Sequence, residues 1–124
     1  MITVFVGLGG FIGSVGRYYL TIFMNKMSPF FPFGTLLSNI LAGLMIGFII
    51  GAENQVGALP DEAKVFLTSG FLGGLSTFSA FSLETVTLFD NGRYAAAGVN
   101  VMINLGLCLI CVVIGMLLAK AVFE

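Results

Sequence analysis

No histidine occurs in the 124 residues of the chain. Its absence removes the commonest catalytic base, the commonest metal ligand and the usual switch near neutral pH. Charge is almost as scarce, at 9% of residues, where soluble domains carry about 25%. The net charge is −1 and no basic run occurs, so nothing points to nucleic acid. Cysteine is confined to Cys108 and Cys111. A C-x-x-C suggests redox or metal chemistry in a soluble βαβ context. Here it sits in an apolar stretch with no further Cys or His, so it reads as two packed thiols. The N-terminus lacks a basic region followed by a small-residue cleavage site, and reads as a first span rather than a signal peptide.

What is abundant is apolar surface. Hydrophobic residues make up 58% of the chain, and the mean hydropathy is +1.08. This is the composition of an integral membrane protein. At about 20 residues per span, the length holds four helices with short loops. The expectation is an all-α membrane protein, a single domain of four transmembrane helices over residues 1–124.

The chain is organised around residues 70–84, GFLGGLSTFSAFSLE. They sit inside an apolar segment predicted to span residues 64–89. Two adjacent glycines, Gly73 and Gly74, cost about 1 kcal/mol each in a helix interior. Ser76 and Thr77 follow and suit the start of a new helix. The spacing therefore predicts a third helix broken at mid-membrane. Irregular backbone at that depth is tolerated only where it is buried in protein or lines a polar path. The alternative is a glycine kink packed against neighbours. Phe78 and Phe81 follow at i, i+3, on one helical face, and by spacing alone read as packing or lipid contact. Glu84 lies about 11 Å from the midplane, where a carboxylate faces an aqueous vestibule or a partner.

The other spans supply fewer polar groups. Span 1, residues 2–23, carries Gly9 and Gly13 as a small face for close packing. Its Arg17 lies about 7 Å off the midplane, and either snorkels to the interface or faces a wet cavity. Span 2, residues 34–51, places Thr35, Ser38 and Asn39 on one face. Asn39 is either an interhelical hydrogen bond or a donor aimed at a permeating ligand. Gly43, Gly47 and Gly51 form a smooth stripe. Residues 52–63 read as the longest loop. Span 4, residues 94–122, carries Asn100, Asn104 and Cys108 as a mildly polar stripe whose default role is helix–helix bonding.

Four spans put both termini on one side, together with Lys64 and Lys120. Lys26 and Arg93 fall on the other side. The positive-inside rule needs a bias, and this balance gives none. The expectation is insertion in both orientations and pairing as an antiparallel, dual-topology homodimer, in which two copies supply the inverted repeats common in transporters.

Three stretches, GGFIGSVGRY (9–18), GTLLSN (34–39) and GFLGGLSTFSAFSLE (70–84), resemble the Fluc family of bacterial fluoride channels, also called CrcB. The likeness covers nearly the whole chain, in length, span number and motif order. It implies a passive fluoride-selective channel in the bacterial inner membrane, with two antiparallel pores per dimer. It also implies a central structural Na+ held by the backbone carbonyls of Gly73 and Ser76 from both copies. By position, Phe78 and Phe81 are the pore phenylalanines, with Asn39 the amide donor near them and Ser79, Ser82 and Glu84 along the polar path. Arg17 falls near the vestibule. The chain departs from the family at Ser76, where Thr is usual, and at Ala80, which lacks a hydroxyl. Asn100 and Asn104 stand where Tyr and Ser are usual, on the wall of the pore. The competing function is a proton-coupled small multidrug exporter, also a four-span dual-topology dimer. That chemistry needs a central carboxylate, and Glu84 is the one candidate.

Overall fold

The computed structural model describes residues 1–57 and 59–124. Four consecutive passes run up and down. They are α1 (Ile2–Met27), α2 (Phe33–Val56), a broken pass made of α3 (residues 61–75) and α4 (Phe78–Asp90), and α5 (Tyr94–Phe123). There is no strand among the described residues. Three passes are long and apolar enough to cross a membrane: Phe33–Val56, Asp61–Asp90 and Tyr94–Phe123. α1 matches them in length, with 26 residues. Arg17 and a run of glycines make it less apolar.

Two polar contacts mark the two ends of the bundle. Lys64 Nζ pairs with Glu53 Oε1 at 3.0 Å, tying the start of α3 to the end of α2. At the other end the Arg93 guanidinium donates to the Phe30 carbonyl, joining the α4–α5 turn to the α1–α2 connection.

Glycine seams hold the passes together. Gly9 and Gly13 of α1 face the carbonyls of Phe66 and Phe71, so closely that a methyl group at either would collide. Gly74 answers from α3: a Cβ there would lie 2.6 Å from the Gly10 carbonyl oxygen. On the other side of the molecule, Gly47 faces the Val112 carbonyl and Gly115 faces that of Leu44. Without a hydrophobic effect between helices in lipid, such close backbone approach is a main source of association.

Two expectations need correction. Residues 52–63 are not one loop: α2 continues to Val56 and ends at Gly57, whose φ of 66° is the left-handed cap glycine tolerates. The third pass does not break at Gly73-Gly74 either. Gly73 has ordinary helical angles, and the chain becomes extended at Ser76 (ψ 156°) and Thr77 (φ −154°). The glycine pair contributes close packing on α1 rather than the break itself. Ahead of the break, α3 widens to a π-helix over Phe66–Leu72, a local geometry frequent at functional sites.

Candidate functional site

Extended residues between two half-helices leave backbone groups without helical partners. Local bonds and two neighbouring helices take up several of them. Ser76 ends α3 by donating its N–H and its Oγ to the Leu72 carbonyl, at 3.0 and 2.9 Å. Thr77 starts α4, and its Oγ1 accepts from the Ala80 N–H at 3.2 Å. Arg17 Nε donates to the Gly74 carbonyl at 3.1 Å. Asn39 then treats Thr77 as a strand partner would. Its Oδ1 accepts from the Thr77 N–H at 2.8 Å, and its Nδ2 donates to the Thr77 carbonyl at 3.2 Å.

Three carbonyls in the break receive no hydrogen bond from the described residues: Gly73, Leu75 and Ser76. Leu75 belongs to the buried core with Ala42 and Leu72. Gly73 and Ser76 instead line a groove of about 380 Å³ along the broken pass. A hard cation takes oxygen ligands of this kind, so these two uncommitted carbonyls fit the Na+ role that the family resemblance assigns to them.

Phe78 and Phe81 line the same groove. Their ring centroids are 5.4 Å apart and the rings are tilted by 58°. Phe81 is buried at 7% exposure, whereas Phe78 is 71% exposed. One ring is therefore seated within the chain and the other stands open at its surface. Ser79 Oγ lies 3.3 Å from Thr77 Oγ1, and Ser82 Oγ donates back to the Phe78 carbonyl at 2.9 Å.

Asn39 also closes a second network. Its Nδ2 donates to Asn104 Oδ1 at 3.1 Å. Asn104 Nδ2 donates to Asn100 Oδ1 at 2.8 Å, and Asn100 Nδ2 donates to Thr85 Oγ1 at 2.8 Å. Asn100 and Asn104 are both buried. The stripe on the fourth pass thus performs the helix–helix bonding that is its default role. Both hydrogens of the Asn39 amide are engaged by protein acceptors, so in this geometry Asn39 organises the break before it faces any ligand.

Sequence reasoning placed Arg17 at a vestibule or an interface. The structure places its Nε on the last turn of α3, just before the break. Glu84 lies beside Thr35, and its Oε1 is buried with no hydrogen-bond partner among the described residues. Ser38 Oγ, fully buried, is also without one. Thr85 was not singled out from the sequence; its i, i+4 spacing from Phe81 was the available signal.

The family profile described as "CrcB-like protein, Camphor Resistance (CrcB)" matches residues 4–116. The chain belongs to the CrcB family. Among curated relatives, the "Fluoride-specific ion channel FluC" of Clostridium perfringens is 44% identical over 124 residues, covering 99% of this chain and 97% of that protein. The protein of the same name from Clostridium novyi is 41% identical over the same coverage. That from Shewanella sp. (strain ANA-3) is 45% identical over 111 residues, 89% of each chain. In this CrcB protein the broken pass and its phenylalanine pair lie well inside the matched region.

Proposed function

We propose that this CrcB protein is a fluoride-selective channel, not an enzyme, that lets the toxic anion leave a bacterial cell passively across the inner membrane. The observation that carries the reading is the pair Phe78 and Phe81, side by side in a groove along a broken membrane pass. The names of the curated relatives agree with it.

Fluoride must shed water to cross an apolar core, so the protein has to replace that hydration. Aromatic rings carry a positive edge. Two edges assist a small anion without holding it, and permeation needs sites easy to enter and easy to leave. Asn39 and Asn104 line the groove as its polar wall, with Asn100 buried behind them; in this reading Ser79 and Ser82 add hydroxyls and Glu84 lies farther along the ion's path. The remaining charge of Arg17 raises the local anion concentration near the break.

The functional unit is an antiparallel homodimer with two pores. Two features support it: the cations balanced between the two ends of the bundle, Lys64 and Lys120 against Lys26 and Arg93, and the exposed Phe78 beside an open groove, which a second copy would cover. A Na+ bound there would neutralise the uncommitted carbonyls of Gly73 and Ser76 from both copies. The residues of this chain that hold the two half-helices in place are Arg17 and Asn39.

The test is efflux from proteoliposomes read with a fluoride electrode. The parent protein is expected to empty the vesicles of fluoride, with a protonophore making no difference beyond charge compensation. Phe81→Ile and Phe78→Ile retain bulk but lose the positive edge, and are expected to give folded protein with flux lowered by at least about tenfold. Parent rates in both variants would return the phenylalanines to packing. Transport that requires a proton gradient would favour the multidrug exporter.

A further inference from the structure

The hydrogen bonds around α4 form a one-way bracket. It starts at the Thr77 N–H, which donates to Asn39 Oδ1 at 2.8 Å. It passes from Asn39 to Asn104 (3.1 Å), from Asn104 to Asn100 (2.8 Å) and from Asn100 to Thr85 Oγ1 (2.8 Å). It ends where Thr85 Oγ1 donates to the Phe81 carbonyl at 2.8 Å. The two ends dictate the direction. A backbone N–H can only donate and a backbone carbonyl can only accept, so every amide between them has one permitted orientation. The starting and ending residues, Thr77 and Phe81, enclose the first turn of α4, the turn that carries both phenylalanines.

We infer that Thr85 is a positioning residue for those phenylalanines. Its hydroxyl is the link that accepts from Asn100 and donates to Phe81, and so fixes the rotation of the first turn of α4 against α2 and α5. Thr85 does not line the groove, so it acts through Phe81 and not on the ion. A threonine bonding back to the carbonyl four residues earlier is common in membrane helices. What distinguishes Thr85 is the incoming amide from the fully buried Asn100. The two buried span-4 amides, Asn100 and Asn104, are thereby given one joint task. The inference rests on the channel reading.

The experiment compares parent, Thr85→Val and Thr85→Ser in proteoliposomes, with flux counted per reconstituted dimer. Valine keeps the shape and removes both bonds; serine keeps both. Thr85→Val is expected to lower flux about threefold to tenfold, the worth of one or two hydrogen bonds, while Thr85→Ser recovers most of it. The ring resonances of isotope-labelled Phe81 should move in the valine variant and return in the serine variant. Adding Thr85→Val to Asn104→Ala should cost little more than Asn104→Ala alone, because residues in one network are not additive. Should the valine variant fail to fold, Thr85→Ala carries the same expectation. A valine or alanine variant with parent flux and unmoved Phe81 resonances overturns the inference, as does a serine variant no better than valine. A parent that moves no fluoride overturns the channel reading, and the inference with it.

Discussion

The α1–α3 seam and the α2–α5 seam are built from the same material, glycines set against carbonyls of the facing helix. They differ in what they carry. Along α2 and α5 the helices are unbroken. Along α1 the facing pass stops at Ser76 and restarts at Phe78. Close approach alone does not satisfy a broken backbone. The broken pass needs side chains from its neighbours, and receives them from Arg17 on α1 and Asn39 on α2. The lesson is that glycine packing makes a seam possible in lipid, while a break within it calls on polar side chains from the neighbouring helices.

The largest expected effects come from filling either seam. Gly13→Ala and Gly47→Ala would each drive a methyl group into a facing carbonyl. Overpacking of this kind costs about 1–3 kcal/mol, so both variants should lose thermal stability and yield on gel filtration. Gly16→Ala and Gly106→Ala are the controls, because a methyl group there meets nothing within 4 Å in the single chain. Melting curves that fail to separate the two pairs would remove close packing as the basis of the seams.

Next in size is a change confined to the break. Asn39→Asp keeps the acceptor for the Thr77 N–H. It loses both donated bonds and turns a carboxylate oxygen toward the Thr77 carbonyl and Asn104 Oδ1. An ionised oxygen facing two acceptors is worse than a missing bond. Flux should fall by more than about tenfold, beyond any loss of dimer yield. Parent flux in this variant would show that the break holds itself together without α2.

Most of this architecture was legible in the sequence, and the reasons differ by level. The passes were readable because lipid demands long apolar helices, and the glycine stripes because membrane packing favours small residues. The break falls near Ser76 as expected, but the unwound stretch is shorter than the sequence suggests and leaves out the glycine pair. Glycine propensity pointed to Gly73-Gly74, but glycine in a membrane helix is as often there for close packing as for flexibility. Thr77 caps the second half-helix as its residue type suggests. An amide at membrane depth demands a partner, and from the sequence Asn39 reads equally as an interhelical hydrogen bond or as a donor to a ligand. The partner proved to be the main chain 38 positions later, a pairing no local pattern encodes. The π-helical stretch of Phe66–Leu72 has no sequence signature beyond Gly70, which serves the α1 contact.

The smallest expected effect in the broken seam belongs to Arg17. Its Nε–H meets the Gly74 carbonyl from a planar group whose other nitrogens remain free to meet water or an anion. Arg17→Lys keeps the charge and one flexible donor. The ammonium must reach the same carbonyl with a single point of attachment, and no second donor then points away from it in a fixed direction. The bond is therefore weakened rather than abolished, and the break retains its Asn39 contacts. Flux should drop about twofold to fivefold, the worth of a fraction of one charged hydrogen bond, with melting temperature nearly unchanged. Arg17→Met, which keeps length and loses every donor, should fall well below the lysine variant in flux. Equal flux in the lysine and methionine variants would mean that the charge and its donors contribute nothing at the break. The Gly74 carbonyl would then have to be satisfied by water, and the α1–α3 seam would depend on its glycines alone, whereas the α2–α5 seam also has the Asn39–Asn104 bond.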